Sequence, residues 1–423
     1  MSTIIFLVYD IIFFIGLVLY LPFYARRKKI NLAALKEKFG HITRTKNEAS
    51  IWIQVVSVGE VILVGEFIKR LRQVYNYPIV ITTTTLTGNA VAKKKYSSYA
   101  TIFFFPFDLS LVLERVLRII RPKIFIAAET EVWPNLFHRL RQKHIPIVIV
   151  NGRISDKAFR RYRLARPITK LVMRQCNFVG AQNQHYKKRF LALGCKEEHV
   201  MVSGNMKFES ISIDDQYLAA IKEKYMPILR QNASLVLIAG STHEPEEEML
   251  LRLYKNFAQL EEKISLIIAP RHIERVPVIE KIAASFGIKT LRLSTHTKSQ
   301  TMANVFLLDT IGELLYFYSL SDICVVGGSF VPHGGQNILE PVYFLKPTIF
   351  GPSMNNFKDI EEIILAKGAG IQAKDEKALE EAILALIKNP VLRQNLRIRC
   401  MKVFEDERKS LDENLKLVIK SLN

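Results

Sequence analysis

Short apolar runs rich in β-branched residues recur along this 423-residue chain and alternate with stretches of helical character. Continuous apolar strands separated by helices are typical of parallel sheets that are covered on both faces. The predicted strands of a first series are Ile51–Val56, Pro78–Thr84, Ile102–Pro106, Ile124–Ala128, Ile147–Asn151 and Phe178–Ala181. Those of a second series are Leu235–Ala239, Ser265–Ala269, Val305–Leu308, Ile323–Val326 and Thr348–Phe350. Two such series predict two doubly wound, Rossmann-like α/β domains.

The domain boundaries follow from the length of the chain and from the place where this pattern breaks. A chain of 423 residues is too long for one compact core. Polar residues interrupt the pattern at 210–216. We therefore expect one α/β domain over residues 31–210, a second over residues 211–410, and a last helix within residues 411–423.

Residues 1–30 differ in character from the rest of the chain. Ile4–Tyr24 is almost wholly apolar, with Asp10 as its only charged residue, and the basic run Arg26–Lys29 follows it. Twenty-one helical residues extend about 31 Å, which is close to the hydrocarbon thickness of a bilayer. The pattern predicts a membrane-anchor helix with the remaining chain on the cytoplasmic side. Because Asp10 is unfavourable in a full span, an interfacial helix and a buried soluble helix are the alternatives.

The positive charge of the chain is concentrated in its first half. The net charge is +20, and residues 1–210 alone carry 34 Lys and Arg against 13 Asp and Glu, which gives 34 − 13 = +21. Clustered charge of one sign indicates a polyanionic partner such as nucleic acid, anionic lipid or a phosphorylated substrate. A basic half beside a membrane helix favours an anionic membrane surface, and no nucleic-acid-binding motif is present.

The segment 327–357 combines glycines, a carboxylate and an amide after a predicted strand. Gly327 and Gly328 end the strand, and the pair Gly334 and Gly335 leads into a predicted helix that carries Asn337 and Glu340. Such glycines allow backbone N–H groups to approach an anion at a helix N-terminus. A carboxylate there accepts hydrogen bonds from sugar hydroxyls. The segment predicts a nucleotide-sugar site, and an ordinary strand–turn–helix connection is the alternative.

Carboxylates also follow two strands of the first series. Glu60 comes directly after the first predicted strand, where a carboxylate can act as the base that removes a proton from an attacking hydroxyl. The alternative role for Glu60 is a favourable interaction with the helix dipole. Glu129 and Glu131 follow the fourth strand. Residues one position apart point to opposite sides of an extended chain, so we expect at most one of these two to face a site.

Basic side chains after other strands are candidates for holding phosphate. Lys207 lies at the end of the first half, where a fixed cation can stabilise negative charge that develops in a transfer reaction. Arg271 offers a planar fork for a phosphate, and His272 adds a donor. An ordinary surface location is the alternative for each. Ser241 and His243 do not indicate a hydrolase, because the chain has no G-x-S-x-G elbow.

Seven ordered motifs together resemble those of the 3-deoxy-D-manno-octulosonic acid (Kdo) transferases, which use CMP-Kdo to glycosylate the lipid A precursor of Gram-negative bacteria. The motifs are SVGE at 57–60, ETEVWPN at 129–135, SGNMKF at 203–208, GSTH at 240–243, PRH at 270–272, IGEL at 311–314 and the glycine-rich segment 327–357. The last departs from the family pattern, since Gln336 replaces the usual histidine and Ile338 the usual proline.

The resemblance implies a GT-B glycosyltransferase fold, with two domains facing a cleft and a last helix that crosses back to the first domain. It implies an inverting, membrane-associated enzyme that transfers Kdo from CMP-Kdo to the lipid A precursor lipid IVA at the bacterial inner membrane. Glu60 corresponds to the general base, Glu129 to the transition-state stabiliser, and Lys207 to a cation that stabilises developing charge. The implied CMP-sugar-binding residues are Arg271, His272, Gly312, Glu313, Leu314, Asn337, Ile338, Leu339 and Glu340.

No metal ion or cofactor is expected. The chain has no pair of carboxylates with the DxD-like pattern that holds a sugar-nucleotide metal, and its four cysteines lack metal-ligand spacing. Arg271 and Lys207 are the expected counter-charges for the phosphate. The alternatives to a Kdo transferase are another two-domain nucleotide-sugar enzyme, either an epimerase or a transferase with a different donor, and a catalytically dead membrane-bound scaffold.

Overall fold

The structure, a computed structural model, describes residues 2–27, 32–43, 48–257, 259–295 and 303–422. The chain divides into two compact units. One unit comprises Met1–Ser210 together with Glu407–Asn423, and the other comprises Ile211–Asp406. Each unit contains a seven-stranded sheet whose paired strands run parallel. This architecture is what the alternation of apolar strands and helices predicts.

The sheet of the first unit has the strand order β3-β2-β1-β4-β5-β6-β7. Its strands are β1 Ser50–Val55, β2 Ile79–Thr83, β3 Ala100–Phe104, β4 Pro122–Ala128, β5 Ile147–Gly152, β6 Phe178–Ala181 and β7 Val200–Val202. In β1, Ile51 and Ile53 belong to the apolar core on one face, whereas Trp52 belongs to the core on the other. All three side chains are fully buried. Because both faces are covered, the strand is apolar at successive positions rather than at alternate ones.

Nine helices among the described residues surround this sheet before the chain enters the second unit. They are α1 Ser2–Arg27, α2 Leu32–Lys38, α3 Val58–Val74, α4 Leu86–Tyr96, α5 Ser110–Ile120, α6 Pro134–Gln142, α7 Asp156–Leu164, α8 Arg166–Met173 and α9 Gln184–Leu193. The helix α5 shows why they pack as they do. Its buried residues Leu113, Val116, Leu117 and Ile120 recur at intervals of three and four, which places them on one face of the helix.

The helix α1 covers the segment that the sequence analysis assigns to a membrane anchor. Phe6 is buried and stacks on His138 of α6, with ring centroids 4.0 Å apart. The Asp10 carboxylate accepts hydrogen bonds from the backbone N–H of Ser110 and from Asn135 Nδ2, at 2.9 and 2.7 Å. The only charge of the segment is therefore bonded inside the first unit.

The prediction of a membrane span over Ile4–Tyr24 is not supported. None of the helices in the described part of the chain combines the length and the apolar character that crossing a bilayer requires. Most of the large apolar side chains that the structure describes in α1 are nevertheless exposed, at 48 to 66%. They are Leu7, Val8, Ile11, Ile12, Phe14, Ile15, Val18, Leu19 and Tyr20. The predicted basic flank extends to Lys28 and Lys29, which lie outside the described residues.

The sheet of the second unit has the strand order β10-β11-β9-β8-β12-β13-β14. Its strands are β8 Leu235–Thr242, β9 Ile264–Pro270, β10 Thr290–Arg292, β11 Val305–Leu307, β12 Ile323–Val326, β13 Thr348–Phe350 and β14 Ile371–Gln372. Its helices are α10 Asp215–Leu229, α11 Glu246–Phe257, α12 Val276–Ser285, α13 Leu314–Leu320, α14 Leu339–Tyr343, α15 Lys358–Ala366, α16 Glu376–Lys388 and α17 Pro390–Glu407. Leu237 and Ile238 of β8 lie in separate apolar cores, one on each face of this sheet.

The last helix, α18 Ser410–Leu422, belongs to the first unit and packs on β5 and β6. Asn414 is fully buried, and its Oδ1 atom accepts the backbone N–H of Asn151 at 3.0 Å. Its Nδ2 atom donates to Ser203 Oγ at 3.0 Å. At Gly180 of β6, a Cβ atom would lie 2.3 Å from Asn414 Oδ1, so only glycine allows the helix this close.

Candidate functional site

The strand order locates one candidate site in each unit. Ligands of open α/β sheets bind beyond the carboxyl ends of the strands, at the point where the strand order reverses. In the first sheet this point lies between β1 and β4, and in the second it lies between β8 and β12. The loops after β1 and β4 carry SVGE and ETEVWPN. GSTH comprises the last three residues of β8 and the residue after it, and the glycine-rich segment follows β12.

Glu60 lies in the first turn of α3, directly after β1. Its side chain is largely buried, at 9% exposure. Its Oε2 atom accepts the backbone N–H of Val56 at 2.7 Å, and Oε1 accepts a longer bond of 3.4 Å from Ser57 Oγ. These contacts fix the carboxylate at the carboxyl end of β1 rather than leaving it exposed on the helix surface.

Glu60, Glu129 and Glu131 all line one cavity, together with Thr130, Arg153 and Ser155. The expectation that at most one of Glu129 and Glu131 faces a site is therefore wrong. The reason is the backbone of Glu129, whose φ of +58° lies in the left-handed region, so the segment is not extended. A non-glycine residue held in this region costs of order 1–3 kcal/mol and often marks a functional site.

Burial and mutual repulsion change the acidity of these carboxyl groups. Burial, and next the charge of Glu129, raise the pKa of Glu60 to about 8, although the N–H of Val56 opposes the shift. Burial likewise raises the pKa of Glu131 to about 7, against the bond that Trp133 Nε1 donates to its Oε2 atom. A carboxyl group with a pKa near the working pH is suited to accept a proton.

Lys207 lies in the same unit, in a short 3-10 helix, Met206–Glu209, that packs against α3. Its backbone N–H donates to Asn205 Oδ1 at 3.1 Å, and its side chain is half-buried. The structure thus brings the elements that carry Lys207 and Glu60 into contact.

Two aspartates that were not predicted to act at the site hold the ETEVWPN loop. Asp108 is fully buried and accepts the backbone N–H groups of Asn135 and Leu136 at the start of α6. Asp10 of α1 bonds the side chain of Asn135. Burial raises the pKa of Asp108 to about 7 despite these donors. No local pattern signals this role, because Asp108 precedes its partners by 27 and 28 residues.

In the second unit, Arg271 and His272 follow β9 and are both exposed. The backbone N–H of Arg271 donates to the carbonyl oxygen of Thr242 at 2.9 Å, which joins the loop after β9 to the loop after β8. His243 follows Thr242, and its ring meets the His272 ring edge-on with centroids 5.8 Å apart. PRH and GSTH thus form one surface at the carboxyl end of the sheet.

The predicted anion site at the glycines is already filled by a side chain of the protein. Glu246 is 2% exposed, and its carboxylate accepts the backbone N–H groups of Gly328, Ser329 and Phe330 at 2.7 to 3.1 Å. It also accepts the N–H of His243 at 2.9 Å. The helix predicted after the second glycine pair is α14, with only five residues. The N–H groups of Gly327, Gly334 and Gly335 also donate within the protein, so the expectation of an anion bound by these glycine N–H groups is wrong.

Asn337 and Glu340 lie together after β12, as the sequence analysis expects. Asn337 Nδ2 donates to Glu340 Oε1 at 3.0 Å, while Asn337 Oδ1 accepts the N–H of Leu339. Burial raises the pKa of Glu340, and the bond from Asn337 opposes this. Ile338 and Leu339 are buried apolar residues at 0 and 3% exposure, so their side chains serve in packing.

The IGEL segment precedes α13, which packs on β8 and α14. Gly312 has a φ of +90°, which a residue with a side chain rarely adopts. The Glu313 carboxylate accepts hydrogen bonds from Tyr217 Oη, at 2.5 Å, and from Thr310 Oγ1. Leu314 is half-buried. Within the part of the chain that the structure describes, no group of three or more His, Cys, Asp or Glu residues has an arrangement that could hold a metal ion.

Comparison with known proteins identifies the relatives of the chain. A family model described as 3-deoxy-D-manno-octulosonic-acid transferase (kdotransferase) matches residues 33–210. A 3-deoxy-D-manno-octulosonic acid transferase from Haemophilus influenzae is 32% identical over 370 residues, which cover 87% of this chain and 86% of that protein. A bifunctional glycosyltransferase/methyltransferase from Fusobacterium nucleatum is 34% identical over 380 residues. That match covers 89% of this chain but only 58% of the bifunctional protein.

Solved structures share the fold of the chain. A glycosyltransferase from Rickettsia africae matches with a TM-score of 0.55 at 14% identity, over 89% of this chain and all of that one (100%). A UDP-GlcNAc 2-epimerase from Neisseria meningitidis matches with a TM-score of 0.59 at 14% identity, over 88% and 99% of the two chains. At this identity the likeness shows the fold alone. The prediction of two parallel-sheet α/β domains of the GT-B type is confirmed.

Proposed function

Because the chain belongs to the Kdo transferase family, we propose that it transfers Kdo from CMP-Kdo to a phosphorylated lipid A precursor, lipid IVA. The observation that carries the proposal is Glu60, a buried carboxyl group at the switch point of the first sheet with a pKa raised to about 8. An acceptor hydroxyl requires such a base, because it becomes a competent nucleophile only as its proton is removed.

In the proposed reaction, Glu60 accepts the proton of the acceptor hydroxyl while the hydroxyl oxygen attacks the anomeric carbon of Kdo. A bond forms between that oxygen and the anomeric carbon, and the bond between the anomeric carbon and the phosphate oxygen of CMP breaks. CMP leaves with the bonding electron pair. Attack on the face opposite the leaving group inverts the configuration of the anomeric carbon.

Negative charge develops on the departing phosphate and is assigned to side-chain cations. We assign Arg271 and His272 to the donor phosphate and Lys207 to stabilisation of the developing charge. Glu129 is assigned to stabilisation of the transition state. No step of this scheme uses a metal ion, so turnover should persist in excess EDTA.

The remaining donor contacts are assigned to the loops at the carboxyl end of the second sheet. Glu340, which Asn337 orients, accepts hydrogen bonds from sugar or ribose hydroxyls. Gly312, Glu313 and Leu314 lie beside the nucleotide. For Ile338 and Leu339 the contact is assigned to the backbone, since their side chains are buried.

The acceptor is lipid-linked, which gives the exposed apolar side chains of α1 a role. We propose that α1 lies in the membrane interface on the cytoplasmic side of the inner membrane, and that the basic first half contacts anionic lipid. Ile12 and Leu19 are 64 and 66% exposed on this helix. Asp10 remains bonded inside the protein in this arrangement.

The proposed function is tested with purified protein, CMP-Kdo and lipid IVA. Mass spectrometry of the lipid should show products heavier by whole Kdo units. Glu60→Gln keeps the size of the side chain but removes the base, so turnover should fall by roughly two to four orders of magnitude. Binding of CMP-Kdo should persist in this variant. A wild-type protein that leaves the lipid mass unchanged would reject the proposed activity, and near-normal turnover of Glu60→Gln would reject the assigned base.

A further inference from the structure

Three imidazole rings lie together at the carboxyl end of the second sheet. The His243 ring stacks on the His333 ring, with centroids 4.4 Å apart and planes inclined by 28°. The His272 ring meets His243 from the other loop at 5.8 Å. These residues follow β8, β12 and β9, three neighbouring strands that include the switch point. His333 is exposed, and the proposed reaction has not used it.

Gln336, where this chain departs from the family motif, also lies beside His243. Gln336 stands where Kdo transferases usually carry histidine, and its Nε2 atom lies 3.4 Å from His243 Nε2. The residue at 336 therefore borders the His243 ring. The imidazole that stacks on the His243 ring belongs to His333, three positions earlier in the same loop.

The carboxylates near the pair, among the residues that the structure describes, are already bonded to other groups. Burial is the largest cause that lowers the pKa of His243, and the neighbouring cationic and imidazole groups lower this pKa further. Those groups are His333, His272, Arg271 and Arg275. The nearby carboxylates have partners already: Glu246 accepts backbone N–H groups, and Glu244 and Glu247 accept from Arg275. The groups that act on the charge of His243 are thus imidazoles and cations, and a bound anion would favour a proton on the pair.

We propose that His333 is a further residue that binds the phosphate of the donor nucleotide, and that the His243–His333 pair takes up one proton when the phosphate binds. The inference rests on the proposed function, because it takes the phosphate of CMP-Kdo or CMP as the ligand. The proton comes from solvent and goes to an imidazole nitrogen, and no covalent bond between heavy atoms changes. Histidine is the side chain whose charge changes most readily near neutral pH.

The proposal is tested by calorimetric titration of the full-length protein with CMP between about pH 6.5 and 8.5. In this range the second ionisation of a phosphate monoester such as CMP, with a pKa of about 6, is largely complete. Uptake of one proton makes the complex favoured at low pH, so affinity should fall as pH rises, by at most about tenfold per pH unit. Repeating the titration in buffers of different ionisation enthalpy gives the number of protons taken up.

Three variants distinguish the role of His333 from a structural one. His333→Asn should weaken CMP binding at low pH and flatten its pH dependence. His333→Arg should bind CMP well across the range with less proton uptake, because arginine stays charged. His185→Asn is the matched control: His185 is an exposed histidine of the first unit, and its substitution should leave the titration unchanged.

The outcomes separate this inference from the function on which it rests. If the wild type takes up no proton, or if His333→Asn binds CMP with wild-type affinity and pH dependence, the inference is overturned while the donor site stands. If the wild type does not bind CMP at all, the proposed function and the inference both fail. A flattened profile in His333→Asn together with a retained profile in the control supports the inference.

Discussion

At the scale of single residues, the raised pKa of Glu60 determines when it can act as a base. With a pKa of about 8, most of this carboxyl group is protonated at neutral pH. The ionised Glu60 carboxylate is, however, a stronger base than a carboxylate of ordinary pKa, because base strength rises with pKa. A base must be ionised to accept a proton, so kcat/KM should rise with pH to about 8 and level off above it.

Glu129 should control the position of this rise. Its negative charge disfavours ionisation of Glu60, so Glu129→Gln should lower the pKa of Glu60 and move the rise in kcat/KM to lower pH. The charge of Glu131 raises the pKa of Glu60 by less than the charge of Glu129 does. Glu131→Gln should therefore move the rise in kcat/KM by less. The measurement is kcat/KM against pH for the wild type and both variants. An unmoved rise in Glu129→Gln would contradict the assigned coupling, whatever happens to the maximal rate.

The sequence predicts a site residue most readily when the groups that it bonds lie close to it along the chain. Glu60 was predictable because it follows its strand directly and bonds Val56, four residues away. Glu246 was not, since it bonds the N–H groups of Gly328 and Phe330, 82 and 84 residues away. The Gly328 N–H group therefore binds the Glu246 carboxylate of the protein rather than a ligand.

At the scale of elements, the strands predictable from the sequence include the interior strands and the edge strand β3, but not the shortest edge strands. The central strand β12 Ile323–Val326 coincides with its prediction, because its buried apolar residues dominate the local sequence. The strands β10 Thr290–Arg292 and β14 Ile371–Gln372 were missed. Both are edge strands of three and two residues whose side chains are half-buried or exposed, so little apolar patterning marks them.

The helix α1 also shows how tertiary contacts override a local pattern. A charged residue such as Asp10 is unfavourable inside a membrane. In the structure, however, Asp10 caps the N-terminus of α5 by accepting the N–H of Ser110. Leu109 precedes that helix and has no side-chain acceptor of its own. The same carboxylate bonds Asn135 of the ETEVWPN loop. The helix is therefore part of the first unit and supports its candidate site.

Removing the Asp10 carboxylate should destabilise the first unit. Asp10→Ala removes the acceptor for Ser110 and Asn135, and loss of a helix cap alone costs about 1 kcal/mol. Asp10→Asn retains an oxygen at Oδ1 and should cost less. Thermal unfolding of both variants checks this, with Asp10→Ala melting at the lower temperature. Equal melting of wild type and Asp10→Ala would show that the cap contributes nothing to stability.

At the scale of the whole molecule, the asymmetry of charge is the feature that the fold leaves unexplained. Residues 1–210 carry 21 more basic than acidic side chains, so ion pairs among these residues cannot neutralise all of the positive charge. The basic residues Arg160 and Arg161 of α7, for example, are exposed. Residues Ser155 and Ala158 at the start of the same helix line the cavity that contains Glu60. A phosphorylated lipid acceptor at that cavity would therefore lie close to positive charge.

If this charge holds the protein at anionic membranes, binding should depend on salt, because the Debye length falls from about 10 Å at 0.1 M to about 3 Å at 1 M. Arg160→Gln combined with Arg161→Gln should weaken binding to anionic vesicles at low salt by about 2 kcal/mol, roughly thirtyfold.

Ile12→Ser combined with Leu19→Ser should instead remove binding that persists at high salt, since these side chains contribute apolar contact. Vesicle co-sedimentation with anionic and neutral lipid measures both effects. Salt-independent binding that is equal for both lipids would mean that α1 alone docks the protein, and the basic half would then serve the acceptor rather than the membrane.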